Sequence, residues 1–139
     1  MMELLHMLDT KILIVEDETI IAMDLQNKFK FWGYNAPIIL FSKKEDLKKI
    51  SYIKPDLIII DIEFKDKIDG IKIIKEINDN YDAAILYLTP YFNEELMKYT
   101  RTNKLYGYIT KPFEENQLKF KVEEVLNTRK IFKSLIASK

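Results

Sequence analysis

Cysteine is absent from this 139-residue chain, and histidine occurs once, as His6. The first absence removes disulfide scaffolds, thiolate metal sites and cysteine nucleophiles together. The second leaves nothing from which to build a histidine-cluster metal site. Net charge is missing too, because 22 basic residues stand against 22 acidic ones. A charge-driven binder of nucleic acid or membrane surface shows a basic excess, so neither partner is expected. No apolar run approaches the roughly 18 residues a membrane helix requires. The opening stretch Met1–Leu8 lacks the basic start of a signal peptide, and a cytoplasmic location is the expectation. Internal repeats and low-complexity linkers are likewise lacking. What remains, 47% apolar and 32% charged residues, suits one globular domain with a real core.

The chain is rich in short aliphatic runs that end in polar residues. Asp56-Leu57-Ile58-Ile59-Ile60-Asp61 sets four large aliphatics between Pro55 and a carboxylate, the pattern of a strand buried on both faces. Lys11-Ile12-Leu13-Ile14-Val15 runs into Glu16-Asp17-Glu18. Residues 36–41, 83–89 and 105–110 supply three further strand-like runs. Between them lie helical patterns. Ile21, Leu25, Phe29 and Trp32 recur at helical spacing before Gly33, and Ser42-Lys43-Lys44-Glu45 fits a capping box ahead of Leu47, Ile50 and Ile53. Ile71, Ile74 and Ile77 follow a polar, turn-rich loop over 63–70. A weaker helix is expected from Asn93 to about Thr102, and a last one from Glu114 onward. Five β–α alternations with short connections predict an α/β fold, a doubly wound parallel sheet with helices on both faces.

Chemistry in such sheets collects beyond the carboxyl ends of the strands. Those ends carry Glu16 and Asp17, then Asp61, Thr89 and Lys111. Each has a plain reading on its own: acids as helix-start charges, Asp61 as a strand cap, threonine as a cap, lysine as a solvated partner. Together they form a coherent set. Clustered carboxylates need a cation, and all-oxygen ligands select Mg²⁺ or a similar hard ion. A carboxylate can accept a phosphoryl group, and ammonium, hydroxyl and metal can neutralise its oxygens.

With these residues in view, the chain resembles a response-regulator receiver domain, the phospho-acceptor module of two-component signalling. The matching motifs are Ile12 to Glu18, Asp56 to Asp61, Leu88-Thr89 and Tyr108-Ile109-Thr110-Lys111-Pro112-Phe113. The spacings also match: 44 residues from Asp17 to Asp61, 28 to Thr89 and 22 to Lys111. The resemblance covers roughly residues 10–127, with 1–9 as a lead-in and 128–139 as an extension of the last helix or a tail. It implies a flavodoxin-like five-stranded sheet of order 2-1-3-4-5. It also implies that Asp61 accepts the phosphoryl group. Asp17, Asp61 and the main-chain carbonyl of Ile62 would ligate Mg²⁺, with Glu16 helping through water. Lys111 would pair with the phosphoryl group, Thr89 would donate its hydroxyl, and Tyr108 would turn inward as Thr89 moves. The Lys111–Pro112 bond is typically cis in the family. The implied partners are a sensor histidine kinase or phosphotransfer protein and a downstream protein target. The signal would pass through the face made by the fourth strand, the helix after it, the fifth strand and the last helix. Such a domain performs its own phosphoryl uptake and loss, and is not otherwise an enzyme.

Pro90 departs from the family pattern. The residue after the threonine is usually small and lends its N–H to the phosphoryl group, and proline has none. The loop after Asp61 lacks the common Met-Pro pair, and Glu63 is placed to influence the attacking water. In the last helix Leu118, Val122, Val125, Arg129, Phe132 and Ile136 step by four and three. The first three suit the domain core. Phe132 and Ile136 lie beyond it, to fray, to meet a partner, or to pair a phosphorylation-dependent homodimer. Nothing after residue 127 is long enough for a helix-turn-helix, so no nucleic-acid contact is expected through this chain. Two other classes compete. An aspartyl-nucleophile phosphatase or phosphotransferase would use Asp61-Ile62-Glu63 but has no need of Glu16-Asp17. A pseudo-receiver interaction module would be expected to lose Asp61 or Lys111, and both are present. No Gly/Ser/Thr-rich phosphate loop follows the first strand, which argues against a flavin.

Overall fold

The computed structural model describes residues 9–40, 44–61, 67–90 and 106–137. The lead-in up to residue 8, the start of the capping box, the loop with Ile62 and Glu63, and the helix expected from Asn93 lie outside these residues.

In chain order the described elements are β1 (Ile12–Glu16), α1 (Thr19–Phe31) and β2 (Ile38–Leu40), then a 3₁₀ turn (Lys44–Lys48) that runs into α2 (Lys49–Ile53). After them come β3 (Leu57–Asp61), α3 (Lys67–Asn80), β4 (Ala84–Thr89), β5 (Tyr106–Thr110) and α4 (Glu115–Ala137). The strands form one parallel sheet in the order β2-β1-β3-β4-β5, as the aliphatic runs and the resemblance led one to expect.

Side chains alternate across the sheet, and the two faces hold separate cores. Ile12, Ile14, Leu57, Ile59, Leu86 and Leu88 pack with Ala22, Leu25 and Phe29 of α1 and with Leu118, Val122 and Val125 of α4. Leu13, Val15, Ile58, Ile60, Ile85 and Tyr87 face the other way, onto Leu47, Ile50 and Ile77. Both faces of β1, β3 and β4 are thus covered, which is why these strands read as unbroken apolar runs. Fully burying each such aliphatic contributes about 1.5–3 kcal/mol. Gly33 ends the turn after α1 with φ 96°, a left-handed conformation that suits glycine.

Three details differ from the sequence expectations. Helix α3 starts at Lys67 and takes in Gly70, which the sequence assigned to the preceding loop. Glycine weakens a helix by about 1 kcal/mol, and the burial of Ile77 at the far end of α3 offsets this. Strand β2 keeps only Ile38–Leu40 of the run from Ala36 to Phe41; it is an edge strand, paired on one side alone. Arg129 is buried as deeply as its apolar neighbours on α4, with 6% of its surface exposed. From Lys130 to Ala137 every residue of α4 is exposed, including Phe132 and Ile136 as expected.

Candidate functional site

Parallel pairing brings the strand-end residues to one edge. Val15 pairs with Ile60, so Glu16 and Asp61 are the next residues along adjacent strands. Asp61 pairs with Leu88, one step before Thr89, and Thr89 pairs with Thr110, one step before Lys111. The Lys111 N–H donates to the Thr89 carbonyl at 2.6 Å, extending the β4–β5 ladder past the end of β5. The Lys111–Pro112 peptide bond is cis.

Glu16 and Asp61 are each only 2% exposed, and Thr89 is buried beside them. Buried carboxylates demand compensation. For Asp61 it comes from Lys111, whose ammonium makes an ion pair and hydrogen bond to Asp61 Oδ2. For Glu16 it comes in part from the backbone: Oε1 accepts the N–H groups of Asp17 (3.0 Å) and Glu18 (3.1 Å). Glu16 Oε2 is buried and meets no hydrogen-bond donor among the described residues. Burial, reinforced by the neighbouring Asp17 and Asp61 carboxyls, pushes the Glu16 carboxyl up to about 9, against a smaller opposing pull from the Glu18 N–H. Two ionised carboxylates cannot hydrogen-bond each other. A proton on Glu16 or a cation between the acids is what this arrangement calls for.

Among the described residues no three acids or histidines are drawn together as a ready metal cage. The fit to a cation is therefore one of donor chemistry: buried carboxylate oxygens, Glu16 Oε2 among those lacking a donor, with no histidine or cysteine joining them among the described residues. A hard divalent ion suits such a set. Ile62, whose carbonyl was expected as a ligand, lies outside the described residues. Tyr108 lies on β5 paired with Tyr87 and is 40% exposed. Pro90 follows Thr89 directly and is partly exposed.

Glu16, Asp17, Asp61, Thr89 and Lys111, far apart in sequence, thus meet at the carboxyl edge. Sequence reasoning gave Asp56 no part beyond starting a strand. Its Oδ2 accepts the Lys11 N–H at 3.0 Å, which ties the start of β1 to that of β3. Only a pairing across 45 residues makes that visible.

Comparison with known proteins agrees with this geometry. The family model of the response regulator receiver domain matches residues 12–123. The transcriptional regulatory protein PdtaR of Mycobacterium tuberculosis is 32% identical over 108 residues, covering 78% of this chain and 52% of that protein. The alkaline phosphatase synthesis transcriptional regulatory protein PhoP of Bacillus subtilis is 30% identical over 131 residues, covering 89% and 51%. The chain spans about half the length of these curated relatives. A CheY-like response regulator receiver domain protein from Methanospirillum hungatei superposes with a TM-score of 0.73 at 25% identity, covering 87% of this chain and 96% of that one. The chain belongs to the response regulator receiver family, the signalling domains of two-component systems. Among the described residues no helix is long and apolar enough to cross a membrane.

Proposed function

We propose that this chain relays a signal by taking a phosphoryl group on Asp61. The observation that carries the reading is the Lys111 ammonium on the carboxylate of Asp61, buried beside a second acid with an unmatched oxygen. A carboxylate paired with a lysine ammonium, at the open edge of the sheet, is a prepared nucleophile.

In the reaction, an Asp61 carboxylate oxygen attacks the phosphorus of the donor. The bond from phosphorus to the leaving group breaks, and that group departs with the electron pair. Lys111 is already in place to neutralise charge on the transferred oxygens, and Thr89, one strand over, offers a hydroxyl donor. Asp17, Asp61 and Glu16, with the Ile62 carbonyl, would hold Mg²⁺. When bound, it neutralises phosphoryl charge and orients the donor. Hydrolysis reverses the modification, with water attacking phosphorus and Asp61 leaving as carboxylate.

Residues 10–127 act as the receiver, and its last helix runs on to Ala137. The donor is a histidine kinase or phosphotransfer protein of the cytoplasm, and the output is contact with a downstream protein. Tyr108, partly exposed here, is the group whose inward rotation reports the modification. Incubation with acetyl phosphate and Mg²⁺ tests the reading. Stoichiometric, Mg²⁺-dependent phosphoryl uptake that Asp61→Asn abolishes is the expected result; catalytic turnover of phosphomonoesters would favour a phosphatase instead.

A further inference from the structure

At the opposite edge of the sheet lies a cavity of about 280 Å³, lined by residues that include Lys54, Asp56, Asn80, Asp82, Arg129 and Lys133. It sits where β3 and β4 begin, roughly 16 Å along β3 from Asp61 at a rise of about 3.3 Å per residue. The proposed phosphoryl chemistry makes no use of it.

Arg129 gives this cavity its character. Its side chain is 7% exposed. One amino group donates to the Asp82 carbonyl oxygen at 3.1 Å. The nearest carboxylate oxygen, also of Asp82, is 3.7 Å away, beyond hydrogen-bond range, on a side chain 94% exposed. Nε is buried with no acceptor among the described residues. A guanidinium carries five donors in a planar fork, and here the buried Nε donor is unmet among the described residues and the charge faces only a distant, exposed carboxylate. A buried charge so weakly compensated is costly to keep and calls for an explanation.

The surroundings add cations. Lys133 stands one helical turn beyond Arg129, and Lys54, held in a left-handed conformation at φ 51°, follows α2. Against these three stand two carboxylates, and Asp56 already accepts the Lys11 N–H. Four carbonyls at the ends of α2 and α3 already accept a hydrogen bond each from other donors. Ile50 O accepts the Lys54 N–H, Ile53 O the Lys11 ammonium, Ile77 O the Tyr81 N–H and Glu76 O the Asn80 amide.

We propose that this cavity is a binding site for a small anion, a carboxylate- or phosphate-bearing molecule gripped by the Arg129 fork and flanked by Lys54 and Lys133. Its volume falls just below the usual range for ligand pockets, roughly 300–1,000 Å³, so the ligand is smaller than a nucleotide. Arg129 is the last buried residue of α4, and a bound anion would fasten that helix to the β3–β4 side of the sheet.

The test is a residue-resolved NMR titration of the full chain, without Mg²⁺, using inorganic phosphate and, separately, succinate. The expected result is saturable amide shifts at Lys54, Asp82, Ala83 and around Arg129. The double variant Lys54→Gln/Lys133→Gln changes only exposed side chains and should bind about tenfold more weakly or worse. Arg129→Lys, which keeps the charge but loses the fork, should also weaken binding. Shifts centred on Asp61 and Lys111, affinities unchanged in these variants, or no saturable shifts would each overturn the proposal. Saturation by phosphate alone, or by succinate alone, identifies which anion the site takes.

Discussion

Replacing Lys111 by methionine removes the ammonium from Asp61 and keeps most of the apolar stem. Asp61 is 2% exposed and the Lys111 side chain 23% exposed, so the pair is asymmetric: the carboxylate is trapped and the ammonium can reach water. Removing one partner of a buried pair costs about 3–5 kcal/mol. The partial exposure of Lys111 lets water enter where its head group stood, and we place the cost nearer to about 2 kcal/mol. For a chain of this size that lowers Tm by about 6 °C. Asp61→Asn is the opposite case. Lys111 turns to solvent and Asp61 no longer opposes ionisation of Glu16, so stability should stay within about 0.5 kcal/mol of wild type or rise. The double variant should recover most of the Lys111→Met loss, a coupling of about 1.5 kcal/mol. Urea unfolding of all four proteins in chelator, followed by circular dichroism, measures this directly. Lys111→Met as stable as wild type, or Asp61→Asn costing as much as Lys111→Met, would refute the reasoning.

Three further outcomes are expected. Pro90→Ala restores an N–H beside Thr89; a hydrogen bond to a charged group contributes about 1.5–3 kcal/mol, so the aspartyl-phosphate should outlast the wild-type one by about tenfold or more once donor is removed, and equal lifetimes would contradict it. A Cβ at Gly107 would meet Val125 Cγ2 at 3.1 Å, Lys121 Cε at 3.2 Å and Leu86 Cδ1 at 3.4 Å; Gly107→Ala should therefore cost about 1 kcal/mol and Gly107→Val about 2–3 kcal/mol in urea unfolding. Truncation after Lys130 removes, among the described residues, only exposed side chains, and should change unfolding free energy by less than about 0.5 kcal/mol while leaving phosphoryl uptake intact.

The sheet was legible because β1, β3 and β4 are covered on both sides, and double burial writes itself as Ile-Leu-Ile-Val, Leu-Ile-Ile-Ile and Ala-Ile-Leu-Tyr-Leu. The site was legible because every strand of a parallel sheet points its carboxyl end to the same edge. Asp61 and Lys111 could therefore be brought together across 50 residues. The start of α3 was less legible: Lys67 to Gly70 has the local composition of a turn, and helix formation there draws on packing further along. Arg129 was the hardest. It occupies a core position in the stepping pattern of α4, but its burial depends on the Asp82 carbonyl 47 residues away. No local pattern marks that partner.

The account turns on Asp61 as the group modified. The most direct measurement is borohydride trapping after exposure to acetyl phosphate and Mg²⁺, with peptide mass spectrometry to locate the reduced residue. The account predicts reduction at residue 61, lost in Asp61→Asn and on chelation. Reduction at Glu16 or Asp17, or a phosphoryl group that persists in Asp61→Asn, would contradict it.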